Sequence, residues 1–238
     1  MLYAIADLHL SLGTDKPMDV FRGWGNYVQR LEDNWRALVK DGDTVVVAGD
    51  ISWAMGLKQS AADFAFLNGL PGRKILLKGN HDYWWTTRNK MDVFFAAQGF
   101  HTLTILHNDA VQIEGVTLCG TRGWLPGEGE DDVKVMAREV GRLKASLDAA
   151  KRFGGTPLVF LHYPPRTKST VCPDIWDVLK AYGIRNCYYG HLHGDGAKNA
   201  AVGEVDGVRL HLIAADAVGF SPVAVEMEAA KTEDKGPF

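Results

Sequence analysis

One pattern governs what this chain can become: short apolar runs that stop abruptly at residues able to bind ions. The clearest is Leu76-Leu77-Lys78-Gly79-Asn80-His81-Asp82. Lys74-Ile75-Leu76-Leu77 reads as a buried strand, Gly79 permits a tight turn, and three ligand-capable side chains follow beyond the strand's carboxyl end. In open α/β sheets, ligands bind along that edge. A lone Asn-His-Asp triplet is equally well a turn whose side chains bond their own backbone. The pattern returns four more times, however. Asp7 and His9 follow the run from Leu2 to Ala6, Asp50 follows Thr44 to Ala48, His162 follows Pro157 to Leu161, and His191 with His193 follow Asn186 to Tyr189. Five of the eight histidines lie in these motifs, and His101, His107 and His211, outside them, read as structural.

The intervening segments suit such a sheet. Val28, Leu31, Trp35 and Leu38 recur at helical spacing, so an amphipathic helix is expected over much of 18–40, with Gly23 and Gly25 blurring its start. Further helices are expected at about 59–68 and 90–98. This β-α-β-α-β alternation, with right-handed crossovers, puts the first three motif loops on one edge. The pattern then changes. Strands at 102–106, 110–113 and 116–120, joined by short turns, suggest hairpins and a second sheet. A glycine-rich acidic loop at 124–132 leads into a long charged helix reaching about Phe153, and a short helix spans 174–182. Residues 205–225 read as closing antiparallel strands around an Asp206-Gly207 turn. One domain over 1–230 is expected, followed by a charged, frayed tail at 231–238.

Carboxylates mixed with imidazoles suit Mn, Fe or Zn; calcium favours all-oxygen sites, and the absence of cysteine argues against a structural zinc site. The donors outnumber what one ion accepts. Two ions about 3.5–4 Å apart and sharing a carboxylate would use them all, and such a pair clamps both oxygens of an in-line displacement at phosphorus.

The order Asp-x-His, Gly-Asp, Gly-Asn-His-Asp, His, Gly-His-x-His, running from Asp7 to His193, resembles the calcineurin-like metallophosphoesterase superfamily. The resemblance implies an α/β fold, a four-layer αββα sandwich of two mixed β-sheets flanked by helices. It also implies two divalent or mixed-valence ions per chain. Asp7, His9 and His193 would hold one, Asn80, His162 and His191 the other, and Asp50 would bridge them, with a bridging hydroxide as nucleophile. His81 would contact the phosphoryl oxygen or protonate the leaving group, and Asp82 would orient His81 and keep it cationic. In the protein serine/threonine phosphatase branch, Gly-Asp is followed by Tyr-Val-Asp-Arg-Gly. Here Gly49-Asp50 is followed by Ile51-Ser52-Trp53-Ala54, which argues against that activity.

Arg88 and Arg122 are candidates for phosphate contacts, and Trp53, Trp84 and Trp124 for the pocket wall. A small phosphoester is the expected substrate. A net charge of -3 argues against a broad basic surface for nucleic acid, although a nuclease relying on its metal ions remains an alternative, as does a non-catalytic interaction module on the same fold. No apolar run approaches the roughly 20 residues that cross a bilayer. The amino terminus lacks a basic region, so a cytoplasmic location is expected. Cys119, Cys172 and Cys187 read as reduced core thiols.

Overall fold

The continuous β-branched run at 44–48 becomes a strand buried on both faces, as such runs do in parallel sheets. A computed structural model describes residues 1–125 and 130–226; the predicted tail at 231–238 and the middle of the acidic loop lie outside them. In the first sheet, β1 (Leu2–Ile5), β2 (Thr44–Ala48), β3 (Arg73–Leu77) and β4 (Leu103–Ile105) run parallel, with Val46 opposite both Ala4 and Ile75. The second sheet has the order β5-β6-β7-β8-β10-β9, from Val111–Ile113 (β5), Val116–Thr121 (β6), Leu158–Leu161 (β7), Asn186–Tyr189 (β8), Gly203–Val205 (β9) and Val208–Leu212 (β10). A short last strand, Val223–Ala224 (β11), returns to the first sheet antiparallel to β1.

Strand alternation sorts the side chains into layers. Ile5, Val45, Val47 and Leu76 face outward onto α1 (Tyr27–Leu38), α2 (Ala61–Gly69) and α3 (Arg88–Gln98), where Leu31, Trp35, Phe64, Leu67 and Phe95 meet them. Ala4, Val46, Ala48, Ile75 and Leu77 face inward and meet Leu118, Phe160, Tyr188 and Ile213 of the second sheet. The other face of the second sheet packs on α4 (Glu130–Ala150) and α5 (Pro173–Ala181) through Leu143, Leu147, Ile175 and Leu179. This is the αββα arrangement. All three cysteines are buried and free. Among the described residues, no helix is long and apolar enough to cross a membrane.

One expectation needs correction. The strand at 102–106 does not open the second sheet; it closes the first, because its edge is satisfied by β3, and of the three strands expected there β5 and β6 form a hairpin. Helix α1 begins at Tyr27, just past the glycines that left its start open, and the preceding residues form a chain of turns. The closing segment holds the expected antiparallel pair, β9 with β10, around the Asp206-Gly207 turn; β10 also lies parallel to β8, and β11 crosses to the first sheet.

At one end the two sheets are stitched together. The Ile213 N–H donates to the Tyr189 carbonyl (2.8 Å), the Ala6 N–H to the Ile213 carbonyl (2.8 Å) and the Asp7 N–H to the Gly49 carbonyl (3.0 Å). The carboxyl ends of β1, β2 and β8 therefore meet on one seam.

Candidate metal centre

Asp7, His9, Asp50, Asn80, His162, His191 and His193 all project from this seam. Asp7, His9, Asp50 and His191 have φ between 46° and 67°, a left-handed conformation that costs non-glycine residues energy and concentrates at functional sites. Each sits two to four residues beyond a strand, where the backbone turns sharply. Gly79 is required here for space: a Cβ on it would collide with the Asp50 backbone and carboxylate.

Potential ligand atoms of Asp7, His9 and Asp50 lie within 4.8 Å of one another. Asp50 Oδ2 stands 3.7 Å from His9 Nε2 and 3.5 Å from His162 Nε2, between two donor groups. On the far side, Asn80 Oδ1 lies 2.7 Å from His162 Nε2 and 3.0 Å from His191 Nδ1. On the near side, the His193 ring stands 5.4 Å from that of His9. The Ala48 carbonyl lies 3.2 Å from His162 Nδ1, so that nitrogen donates and Nε2 is left with its lone pair.

These residues fit cations. His9 Nε2 is buried without a hydrogen-bond partner, an arrangement that costs about 1–3 kcal/mol unless something binds there. Burial, and then the neighbouring Asp50, push the Asp7 carboxyl well above its ordinary range; burial and then Asp82 push Asp50 up to about 8. Burial also holds His9 and His162 well below theirs, and His191 at about 4. Neutral imidazoles beside buried carboxylates form a donor set that positive ions complete.

Asp82 and His81 differ from expectation. The fully enclosed Asp82 carboxylate accepts N–H bonds from Gly79 (2.7 Å), Asp50 (2.9 Å), Ile51 (2.8 Å), Ser52 (3.3 Å) and Trp84 Nε1 (2.9 Å). It ties the β3 loop to the β2 loop rather than orienting His81, because its oxygens are already taken. His81 stands instead between Trp53, 4.5 Å away, and Tyr83, whose hydroxyl lies 3.4 Å from Nδ1. Burial, with His193 and Lys16 nearby, lowers its pKa.

A sequence model of the calcineurin-like phosphoesterases matches residues 2–195. The chain belongs to the calcineurin-like phosphoesterase family. This is a family of metal-dependent phosphoester hydrolases. No curated protein matches the chain in sequence. Solved structures of similar fold include a protein of unknown function from Aquifex aeolicus (TM-score 0.53, 16% identity, 94% of each chain covered). The phosphopantetheinyl hydrolase of Mycobacterium tuberculosis is also similar (TM-score 0.52, 16% identity, covering 90% of this chain and 88% of that one).

The remaining candidates divide sharply around the calcineurin-like site. Arg122 reaches it from β6: its carbonyl accepts the His162 and Tyr163 N–H groups, and its guanidinium lies over Trp124 at 4.8 Å. Glu139 on α4, fully buried, holds that guanidinium at 3.1 Å and also accepts from Thr121 (2.9 Å) and Arg142 (2.5 Å). Trp124 bonds Asp132 (3.1 Å) and packs on Tyr163, which lies 4.2 Å from the His191 ring. Trp53 stacks on His9 at 5.0 Å. Arg88 is not brought in; it pairs with Asp92 at 2.7 Å on exposed α3. Trp84 is likewise no pocket wall, being buried against Phe64 with its N–H on Asp82.

Sequence reasoning missed Trp24, Tyr163 and Glu139. Trp24 touches both His9 and His193 edge-on. Its flanking glycines were the available signal, marking a turn where a helix had been expected. Glu139 carried none, since one acid in a charged helix looks like any other.

Proposed function

We propose that the chain hydrolyses phosphate esters using two metal ions, one held by Asp7, His9 and His193, the other by Asn80, His162 and His191, with Asp50 shared. The observation that carries this reading is the placement of Asp50 Oδ2 between His9 Nε2, buried and unpartnered, and His162 Nε2. When bound, the ions supply positive charge that acidifies water and offsets charge on the phosphoryl oxygens.

The chain's own residues supply the rest. Asp82 fixes the Asp50 backbone through the Asp50, Ile51 and Ser52 N–H groups, so the shared carboxylate is set before substrate arrives. His81 has its Nδ1 beside Tyr83, and Nε2 is left to donate to the phosphoryl or leaving oxygen. Arg122, oriented by Glu139, offers a cationic contact to a phosphoryl oxygen from the His162 side. A cytoplasmic location and a small phosphoester substrate belong to the same proposal.

The test is metal content together with turnover of p-nitrophenyl phosphate and bis-p-nitrophenyl phosphate after addition of Mn. Close to two ions per chain with cleavage is expected, and Asp50→Asn should abolish cleavage. Two ions without turnover on any phosphoester, alongside a co-purifying partner, would favour an interaction module instead. Full activity in Asp50→Asn would overturn the shared-ligand assignment.

A further inference from the structure

Beside His9, His81 and His193 opens a cavity of about 690 Å³. That volume lies in the range that encloses a whole organic ligand and far exceeds what a phosphoryl group needs. Its body is apolar and aromatic: Met18, Phe21, Trp24 and Trp53 form the wall. Phe21 leaves 56% of its surface exposed there, an aromatic ring that the core does not use. The wall is built rather than loose. The Phe21 N–H donates to Met18 (3.0 Å), Trp24 to Phe21 (3.1 Å) and Tyr27 to Trp24 (3.1 Å), while Trp53 Nε1 donates to Met18 Sδ (3.3 Å).

The uncompensated charge on the rim is positive, although Asp195 also lines it. Arg22 lines the cavity and has no acidic partner among the described residues, and Lys16 Nζ lies 4.9 Å over the Trp53 ring. Lys198 also lines it but is neutralised by Asp195 at 2.6 Å, so the uncompensated charge sits on the Phe21–Arg22 side.

We infer that this cavity receives the leaving-alcohol half of the substrate, and that this half carries a planar apolar body and a second anionic group, as in a nucleoside phosphate. The inference rests on the hydrolase reading. Water's oxygen bonds phosphorus, the ester P–O bond breaks, and the alcohol oxygen takes its proton beside His81, which forms part of the cavity wall. The alcohol's ring then lies among Met18, Phe21 and Trp53, with its distal anion at Arg22.

The probe is adenosine 5′-phosphate, titrated into the Mn-loaded protein by calorimetry beside adenosine, which lacks the anion, and glycerol phosphate, which lacks the ring. Adenosine 5′-phosphate should bind about tenfold tighter than either, a difference of about 1.4 kcal/mol. Arg22→Ala should erase its advantage over adenosine, and Phe21→Ala its advantage over glycerol phosphate. Affinity unchanged in both variants would overturn the inference, since the ions alone would then be holding the phosphate. Arg22-dependent binding in a protein that cleaves no ester would support the site while the hydrolase reading fell.

Discussion

Replacing Asp82 by Asn separates two roles that the motif alone confuses. The carboxylate has Gly79 and Asp50 N–H groups on Oδ2, and Ile51, Ser52 and Trp84 N–H groups on Oδ1. An amide keeps one oxygen, so whichever way it turns, at least two buried donors lose their acceptor and face an NH2 group instead. Hydrogen bonds to a charged group are worth about 1.5–3 kcal/mol each, giving a loss of about 3–6 kcal/mol. Removing a buried charge beside Asp50 recovers part of this, which leaves a net cost of about 3 kcal/mol. With an m-value of about 3 kcal/mol/M, the urea midpoint of the metal-free protein should fall by about 1 M. His81→Ala, by contrast, should leave that midpoint within about 0.2 M, because His81 is half-buried and anchors nothing. The assay is urea unfolding followed by tryptophan fluorescence. An unchanged midpoint in Asp82→Asn, together with an activity loss matching that of His81→Ala, would refute the anchoring argument and restore Asp82 as the partner of His81.

Lys74 is buried with its ammonium on the carbonyls of Leu70 and Gly72 (2.8 Å to the latter) and on Thr102 Oγ1 (3.1 Å). Burial lowers its pKa from 10.5 to about 8, so between those values the unfolded chain binds a proton that the folded one has released. Stability should therefore rise with pH from about 8 to 10.5, by on the order of 2–3 kcal/mol, and Lys74→Met should remove that slope in urea titrations across the window. Glu139→Gln should lower kcat/KM for p-nitrophenyl phosphate about tenfold by loosening Arg122, and Arg122→Ala about a hundredfold. The double variant should be no worse than Arg122→Ala alone, and additive losses would show that Glu139 acts elsewhere. Chelation should lower the thermal midpoint, since ions at a hundred times their Kd stabilise by about 2.7 kcal/mol; differential scanning fluorimetry with and without Mn reads this directly.

Local chemistry made the strands and the donor atoms readable. Each motif residue follows an apolar run closely enough that its place at the sheet edge is a matter of strand length, and Asp7, Asp50 and His191 are found there. What failed depended on partners distant in the chain. Thr102 to Leu106 looks like any short strand, and only the open edge of β3 decides that it belongs to the first sheet. Asp82 is adjacent to His81, yet a carboxylate goes where donors converge, and three of its five, the Asp50, Ile51 and Ser52 N–H groups, come from about thirty positions earlier. Of the tryptophans near the motifs, Trp53 lines the cavity and Trp84 is swallowed by the core, a difference set by which way each turn points its side chain.

The stitched seam also dictates when the site can exist. Asp7 accepts the His191 N–H across 184 residues of chain, so the first donor made during synthesis waits for almost the last. A nascent chain that has completed only β1 to β4 carries Asp7 and Asp50 without the three histidines supplied by the second sheet. Long-range closure of this kind is slow. Ion uptake is therefore a late event, and a tightly held metal certifies that both halves of the polypeptide have found each other.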